Sequence, residues 1–172
     1  YRRLDDEFLD PKFFNEESLI GVSGIMEAYL AGNVAIMNAP GNGVADDKGI
    51  YYFVPKMIKY YLGEEPILNN APTYLPYFEK DRKYIFENIH KLVIKDVAEA
   101  GGYGVMFGHT MTNIQINDLK TIIASNPRRF IAQELIEFYD EECYINNEIV
   151  PRKADFRAYV VMADEPKVWQ CG

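Results

Sequence analysis

Apolar positions recur at helical spacing most clearly between residues 50 and 61, where Ile50, Phe53, Val54, Met57, Ile58 and Tyr61 form one stripe. Gly63 ends this helix and Pro66 follows it, while Pro55 inside the stripe lacks a backbone donor and is expected to kink or split it. A second helical pattern, Ile116, Leu119, Ile122 and Ile123, runs to Ser125 behind Thr112-x-x-Gln115, the signature of a capping box. Residues 80–88 also read as helical, and a short helix is expected between Ser23 as N-cap and the stop at Gly32-Asn33. Apolar runs predict strands at 92–95, 105–108, 130–134 and 154–162, with 34–37 a short buried strand. Residues 1–4 and 167–172 read as strand ends, and residues 5–22 are acidic and turn-rich without a regular assignment. Asn38-Ala39-Pro40-Gly41-Asn42-Gly43 is turn chemistry throughout.

This order predicts an α+β fold in which helices lie against an antiparallel sheet, with the 112–125 helix on one face of strands drawn from 92–162. Residues 64–78, with Pro66, Pro72 and Pro76, read as a linker, so that 1–70 belong to one lobe and 71–172 to another. Strands that run into both ends suggest a segment cut from a longer protein.

Composition narrows the classes. With 48% hydrophobic and 14% aromatic residues among 172, the chain can bury a core. A net charge of −8 argues against nucleic-acid partners, which need dense Lys and Arg, but leaves room for a small phosphate ligand held by a few local cations. Cys143 and Cys171 form no CxxC pair, and with His90 and His109 they match no zinc spacing. No apolar run approaches a membrane span and no signal-peptide pattern opens the chain, so a reducing cytoplasm is the expectation.

Four stretches could carry chemistry. In Leu92-Val93-Ile94-Lys95, alternation puts Lys95 opposite the core face, ahead of Gly101-Gly102-Tyr103-Gly104. A half-buried lysine needs an anionic partner, and glycines let backbone amides approach a phosphate, so a phosphate clamp and an ordinary hairpin both remain open. Asp155-Phe156-Arg157 offers either a guanidinium fork for a terminal phosphate or a simple Asp–Arg pair within a sheet. Asp46-Asp47-Lys48 opens the stripe helix; its acids complement the helix dipole, whereas Lys48 opposes it and needs another reason to be there. Residues 130–136 form a strand running into a loop, which could offer backbone groups to an adenine edge with Gln133 or Glu134 on the exocyclic amine.

Taken in order, these pieces resemble the circularly permuted ATP-grasp proteins of bacteria, which are similar to glutathionylspermidine synthases. The likeness rests on Tyr1-Arg2-Arg3-Leu4-Asp5-Asp6-Glu7-Phe8-Leu9-Asp10-Pro11, on Asn38 through Lys48 with its specific Asn-Ala-Pro-Gly-Asn-Gly segment, and on Tyr60 through Leu68. Val93-Ile94-Lys95, the glycine loop, Ile131-Ala132-Gln133 and Asp155-Phe156-Arg157 follow in the same order. The resemblance implies an ATP-grasp small lobe together with part of the preceding α/β lobe, truncated at its C-terminal end.

It further implies that Lys48 and Lys95 are the two ATP lysines and that Gly101, Gly102 and Gly104 belong to a mobile loop, 97–104, that closes over the phosphates. Gln133 and the backbone at Ile136 would form the adenine hinge, and Arg157 would bind the transferring phosphoryl group. Gln133 stands where glutamate is common, and the ribose-binding acid is not placed among Glu137, Asp140, Glu141 and Glu142. Magnesium ligands are expected beyond residue 172, so no metal ligand is assigned here. The implied activity of the parent protein is ATP-dependent ligation of a carboxylate to an amine or thiol through an acyl phosphate, giving peptide-like or polyamine-like products. The segment alone is expected to be inactive and to work with the rest of its parent chain. A phosphotransferase with the same grip, and a nucleotide-binding scaffold without catalysis, are the alternatives.

Overall fold

Alternation along one short strand organises the first part of the molecule. Strand β2 (Leu92–Asp96) turns Leu92 and Ile94 toward a helical layer and Val93 and Lys95 the other way. The computed structural model describes residues 1–98, 104–162 and 164–169, and the chain divides into two units, Tyr1–Glu134 and Leu135–Gly172.

In the first unit β2 lies in a four-stranded sheet of order β1–β4–β2–β3, where β1 is Thr73–Tyr74, β3 is Val105–Phe107 and β4 is Phe130–Glu134. All three pairings are antiparallel, as expected for β2 and its neighbours. Helices α4 (Glu79–Asn88) and α5 (Asn113–Ser125) cover one face, and Ile85, Ile89, Leu92, Ile94, Leu119, Ile123, Phe130 and Ala132 form the core between them and the sheet. Leu119 and Ile123 are buried and Ile116 packs at the edge, but Ile122 turns to solvent and is not part of the buried stripe.

The capping box of α5 is present in both directions: Gln115 N–H donates to the Thr112 hydroxyl (3.4 Å), and Thr112 N–H donates to Gln115 Oε1 (2.8 Å). Thr112→Ala should therefore cost about 1 kcal/mol. Urea denaturation measures this, and an unchanged midpoint would mean that the cap contributes nothing.

Helix α3 (Lys48–Leu62) touches β1 and β4. It runs through Pro55 as one helix, so of the expected kink or split the split does not occur. Pro55 has no N–H for the carbonyl of Tyr51, and the Asn70 side-chain amide donates to that carbonyl instead (3.2 Å). Ala71 N–H then donates to the Tyr51 hydroxyl (2.8 Å), so the segment leading into β1 is strapped along the helix. Gly63, at φ +69°, closes the helix as expected.

Ahead of α3 lie two short helices, α1 (Asp6–Leu9) and α2 (Ile25–Leu30). Asp10 is buried between them and accepts the N–H groups of Lys12, Gly24 and Met26 at 2.9–3.1 Å. Burial alone would raise its carboxyl, but these backbone donors, with Lys12, bring it below the usual aspartate range. Residues 1–4 and 34–37 are not strands, and Val34 and Met37 are exposed. A four-residue apolar run carries no period long enough to identify a strand.

In the second unit β5 (Asp140–Ile145) and β6 (Glu148–Lys153) form a hairpin, and β7 (Val160–Met162) pairs with β8 (Pro166–Val168). The hairpin turn is Asn146-Asn147, both at positive φ (+53° and +65°), the geometry of a two-residue turn matched to strand twist. Pro151 sits inside β6, which a two-stranded ribbon tolerates because each strand keeps an open edge. The strand expected over 154–162 is confined to its last three residues, and the strands beyond Glu134 form their own ribbons rather than extending the main sheet.

Candidate functional site

Lys48 is the first residue of α3, behind the N-cap Asp47, whose carboxylate accepts Gly49 N–H (2.6 Å). Its backbone N–H donates to Val97 O (3.2 Å) and its amine to Asp96 O (2.9 Å), which fixes the start of α3 to the outgoing end of β2. The Asp96 carbonyl thus accepts from a cation at a helix end whose dipole disfavours it.

Lys95, one residue upstream on β2, projects from the sheet face away from the α4–α5 core. Its amine donates to Gln133 Oε1 (2.6 Å); Gln133 Nε2 donates to the Thr73 hydroxyl (2.8 Å), which donates on to Ala71 O (2.8 Å). Cross-strand register explains the chain of contacts, because Val93, Gln133 and Thr73 lie opposite one another on β2, β4 and β1. Burial lowers the Lys95 pKa from its usual value, and the nearby positive charge of Lys48 lowers it further. None of the ion pairs among the described residues includes Lys95. The charge of Lys48 thus adds to the desolvation that disfavours the Lys95 cation, and an anionic ligand at Lys95 would relieve both.

The glycine loop leaves from this place. Asp96 is buried at 5% exposure, pairs with Arg129 Nε (2.5 Å) and accepts Ala98 N–H (3.0 Å). Asp96 N–H donates to Gly104 O and Val97 N–H to Arg129 O, so one shoulder of the loop is tied to β2 and the other to the turn that precedes β4. Gly104 has φ +68°, a conformation strained for any side chain. Gly101 and Gly102, and most of the loop expected to be mobile, lie outside the described residues.

At the end of β4 the Tyr74 and Tyr84 hydroxyls both donate to Glu134 Oε1 (3.0 and 2.8 Å), with the two rings 4.4 Å apart. Burial, followed by the bonds with Tyr84 and Glu134, raises the Tyr74 hydroxyl far above its usual pKa. Glu134 N–H donates to Pro72 O (3.0 Å), so the last residue of β4 is held by side chain and backbone alike. The two tyrosines carry no sequence signal that joins them to Glu134, because their partner lies 60 and 50 residues away along the chain.

A cleft of about 780 Å³ reaches Asp47, the residue before Lys48, and is also lined by Asp46, Val97, Ala98, Arg3, Asp5, Glu7 and Asn38. Two of the stretches that carry the likeness, 1–11 and 38–48, therefore meet in space. Among the described residues no group of three or more His, Cys, Asp or Glu side chains converges as a metal site.

Ile136 and Arg157 belong to the second unit and are exposed there. Residues 154–159 have no regular structure, so the strand alternation expected to put Asp155, Arg157 and Tyr159 on one face does not apply.

The family model described as circularly permuted ATP-grasp type 2 matches residues 1–172. An uncharacterized protein of Synechocystis sp. is 47% identical over 161 residues, covering 94% of this chain and 34% of the relative. An uncharacterized protein of Mycobacterium tuberculosis is 40% identical over 98% of this chain and 30% of its own length. A Frankia alni protein whose name proposes a glutamate–cysteine ligase is 34% identical over 98% of this chain and 20% of its own length. The chain thus spans about a third or less of these relatives. No helix of the described residues is long and apolar enough to cross a membrane.

Proposed function

The chain belongs to the circularly permuted ATP-grasp type 2 family, and from that premise we propose that Lys48 and Lys95 grip the phosphates of ATP. The observation that carries this reading is their convergence, with Lys95 held by a neutral amide and depressed in pKa by burial and by Lys48. In this reading Gly101, Gly102 and Gly104 supply amides to the phosphates, and Gln133 with the Ile136 backbone receives the adenine. Residues 1–70 contribute to one lobe and 71–172 to the small lobe. Arg157 binds the transferring phosphoryl group.

For the whole protein the reading is a cytoplasmic ligase. A substrate carboxylate oxygen attacks the γ-phosphorus of ATP, ADP leaves, and an amine or thiol then displaces phosphate from the acyl phosphate. The likeness to glutathionylspermidine synthases and the name of the Frankia relative both favour amino-acid or peptide-like carboxylates, with an amino acid or polyamine as acceptor. This chain's part is positioning and charge neutralisation. Magnesium usually accompanies ATP in this chemistry; the described residues offer it no cluster of ligands, and none is assigned.

Titration calorimetry with ATP against pH tests the grip. Lys95 binds phosphate as a cation, so affinity should weaken as its amine loses its proton, at a pH below the ordinary lysine value of 10.5. The stability of the unliganded protein should move oppositely. The unfolded chain binds the proton more tightly, so across the window between the folded and unfolded pKa values stability rises with pH. Absence of ATP binding, or an affinity flat up to 10.5, would remove Lys95 from the site.

A further inference from the structure

Arginine carries five N–H donors, and in Arg2 the protein itself uses all five. Nε donates to Asn38 O (2.7 Å), Nη1 to Leu4 O (2.9 Å) and Asp6 Oδ1 (2.6 Å), and Nη2 to Ala39 O (3.1 Å) and Asn42 Oδ1 (2.6 Å). Its side chain is only 7% exposed. The backbone repeats the contact: Arg2 N–H donates to Met37 O (3.1 Å), and Asn38 Nδ2 donates to Arg2 O (3.0 Å). The other carboxylate oxygen of Asp6 accepts Gly41 N–H (3.1 Å). Asn38, at φ +62°, holds a conformation uncommon outside glycine, and its side chain is engaged in doing so.

The loop gripped in this way leads directly to the lysine. Asn42 opens a 3-10 turn, Asn42–Asp46, and Asp47 alone separates that turn from Lys48. An arginine with donors to spare beside such a cleft would suit a phosphate ligand; Arg2 has none to spare.

We propose that Arg2, together with Asp6, is a positioning residue that locks the 38–42 loop and thereby sets Lys48 in the phosphate grip. The proposal rests on the ATP reading for its functional consequence, while the clamp itself is a statement about the loop.

Three measurements on the protein test it: ATP titration, hydrogen exchange of the 38–48 amides, and a double-mutant cycle between Arg2→Ala and Lys48→Met. Arg2→Ala should accelerate exchange at 41–48 and weaken ATP binding about tenfold. In the Lys48→Met background it should weaken binding no further, because residues acting through one network are not additive. Asp10→Asn, which loosens the junction of α1 and α2, should lower thermal stability without changing ATP affinity. If Arg2→Ala does not fold, Asn42→Ala removes one of the five bonds and should give the same pattern at about threefold. Effects of Arg2→Ala and Lys48→Met that simply add would make Arg2 an independent contributor and overturn the proposal, as would unchanged exchange at 41–48. A wild-type protein that binds no ATP would overturn the phosphate grip instead, and with it Lys48's role; exchange would still decide whether Arg2 clamps the loop.

Discussion

Alanine at position 108 is expected to destabilise the protein by about 3 kcal/mol or more, through overpacking that has nowhere to go. A Cβ there would lie 1.7 Å from Ile89 O, 2.7 Å from Ile89 C and 3.0 Å from Leu92 O. All three are backbone atoms, so no side-chain rotation relieves the clash. Gly108 opens a 3-10 turn, Gly108–Thr110, laid against another, Ile89–Lys91, whose Ile89 is a core residue. Separating the turns would pull Ile89 and Leu92 out of their packing. Against a typical stability of about 5–15 kcal/mol, such a loss is a large fraction. Urea denaturation of Gly108→Ala is the measurement, and a midpoint equal to wild type would show that the two turns are not in contact.

Lys95→Met should lower ATP affinity by about one to two orders of magnitude, since a charge-assisted contact is worth roughly 1.5–3 kcal/mol. Methionine keeps most of the apolar stem against the sheet and deletes the charge. The unliganded fold should not suffer. The protonated amine is already opposed by burial and by Lys48, and removing it removes both penalties at the loss of one bond to Gln133. Lys80→Met and Lys120→Met, at positions outside the site, are controls that should leave binding nearly unchanged. Calorimetric titration and thermal melts of each variant give both readouts. Wild-type affinity in Lys95→Met would return β2, its loop and β3 to an ordinary hairpin.

The elements legible in the sequence were those with a period or a motif of their own. The stripe of α3, the capping box of α5 and the alternation of β2 each constrain several residues at once, and each stands where the pattern puts it. Lys95 was legible for the same reason: alternation alone puts it opposite Leu92 and Ile94. What stayed hidden depends on partners distant in the chain. Thr73–Tyr74 becomes a strand only because β4 offers it an edge, and the Pro-rich stretch around it reads as a linker. The β5–β6 hairpin turns on Asn146-Asn147, an available but modest turn signal, and its second strand carries Pro151, which the ribbon accepts. Arg2 looked like part of a strand end, and only the meeting of its segment with 38–42 reveals its five bonds.

The strap at Pro55 has a consequence for the sheet. By removing one amide, the proline leaves a vacancy at the Tyr51 carbonyl that Asn70 fills, and Ala71 is docked beside it on the same tyrosine. Thr73 follows two residues later and pairs with Gln133. A residue in the middle of a helix therefore acts as an address label for an edge strand: it specifies which asparagine docks, and so where the strand starts counting. Pro55→Ala, which helix propensity alone would favour, would restore the helix's own bond to Tyr51 O and evict Asn70. The helix would gain, the edge strand would lose its index, and Thr73 would no longer be delivered reliably to Gln133. Faster hydrogen exchange at 71–74 in a variant with an intact helix would show that trade directly.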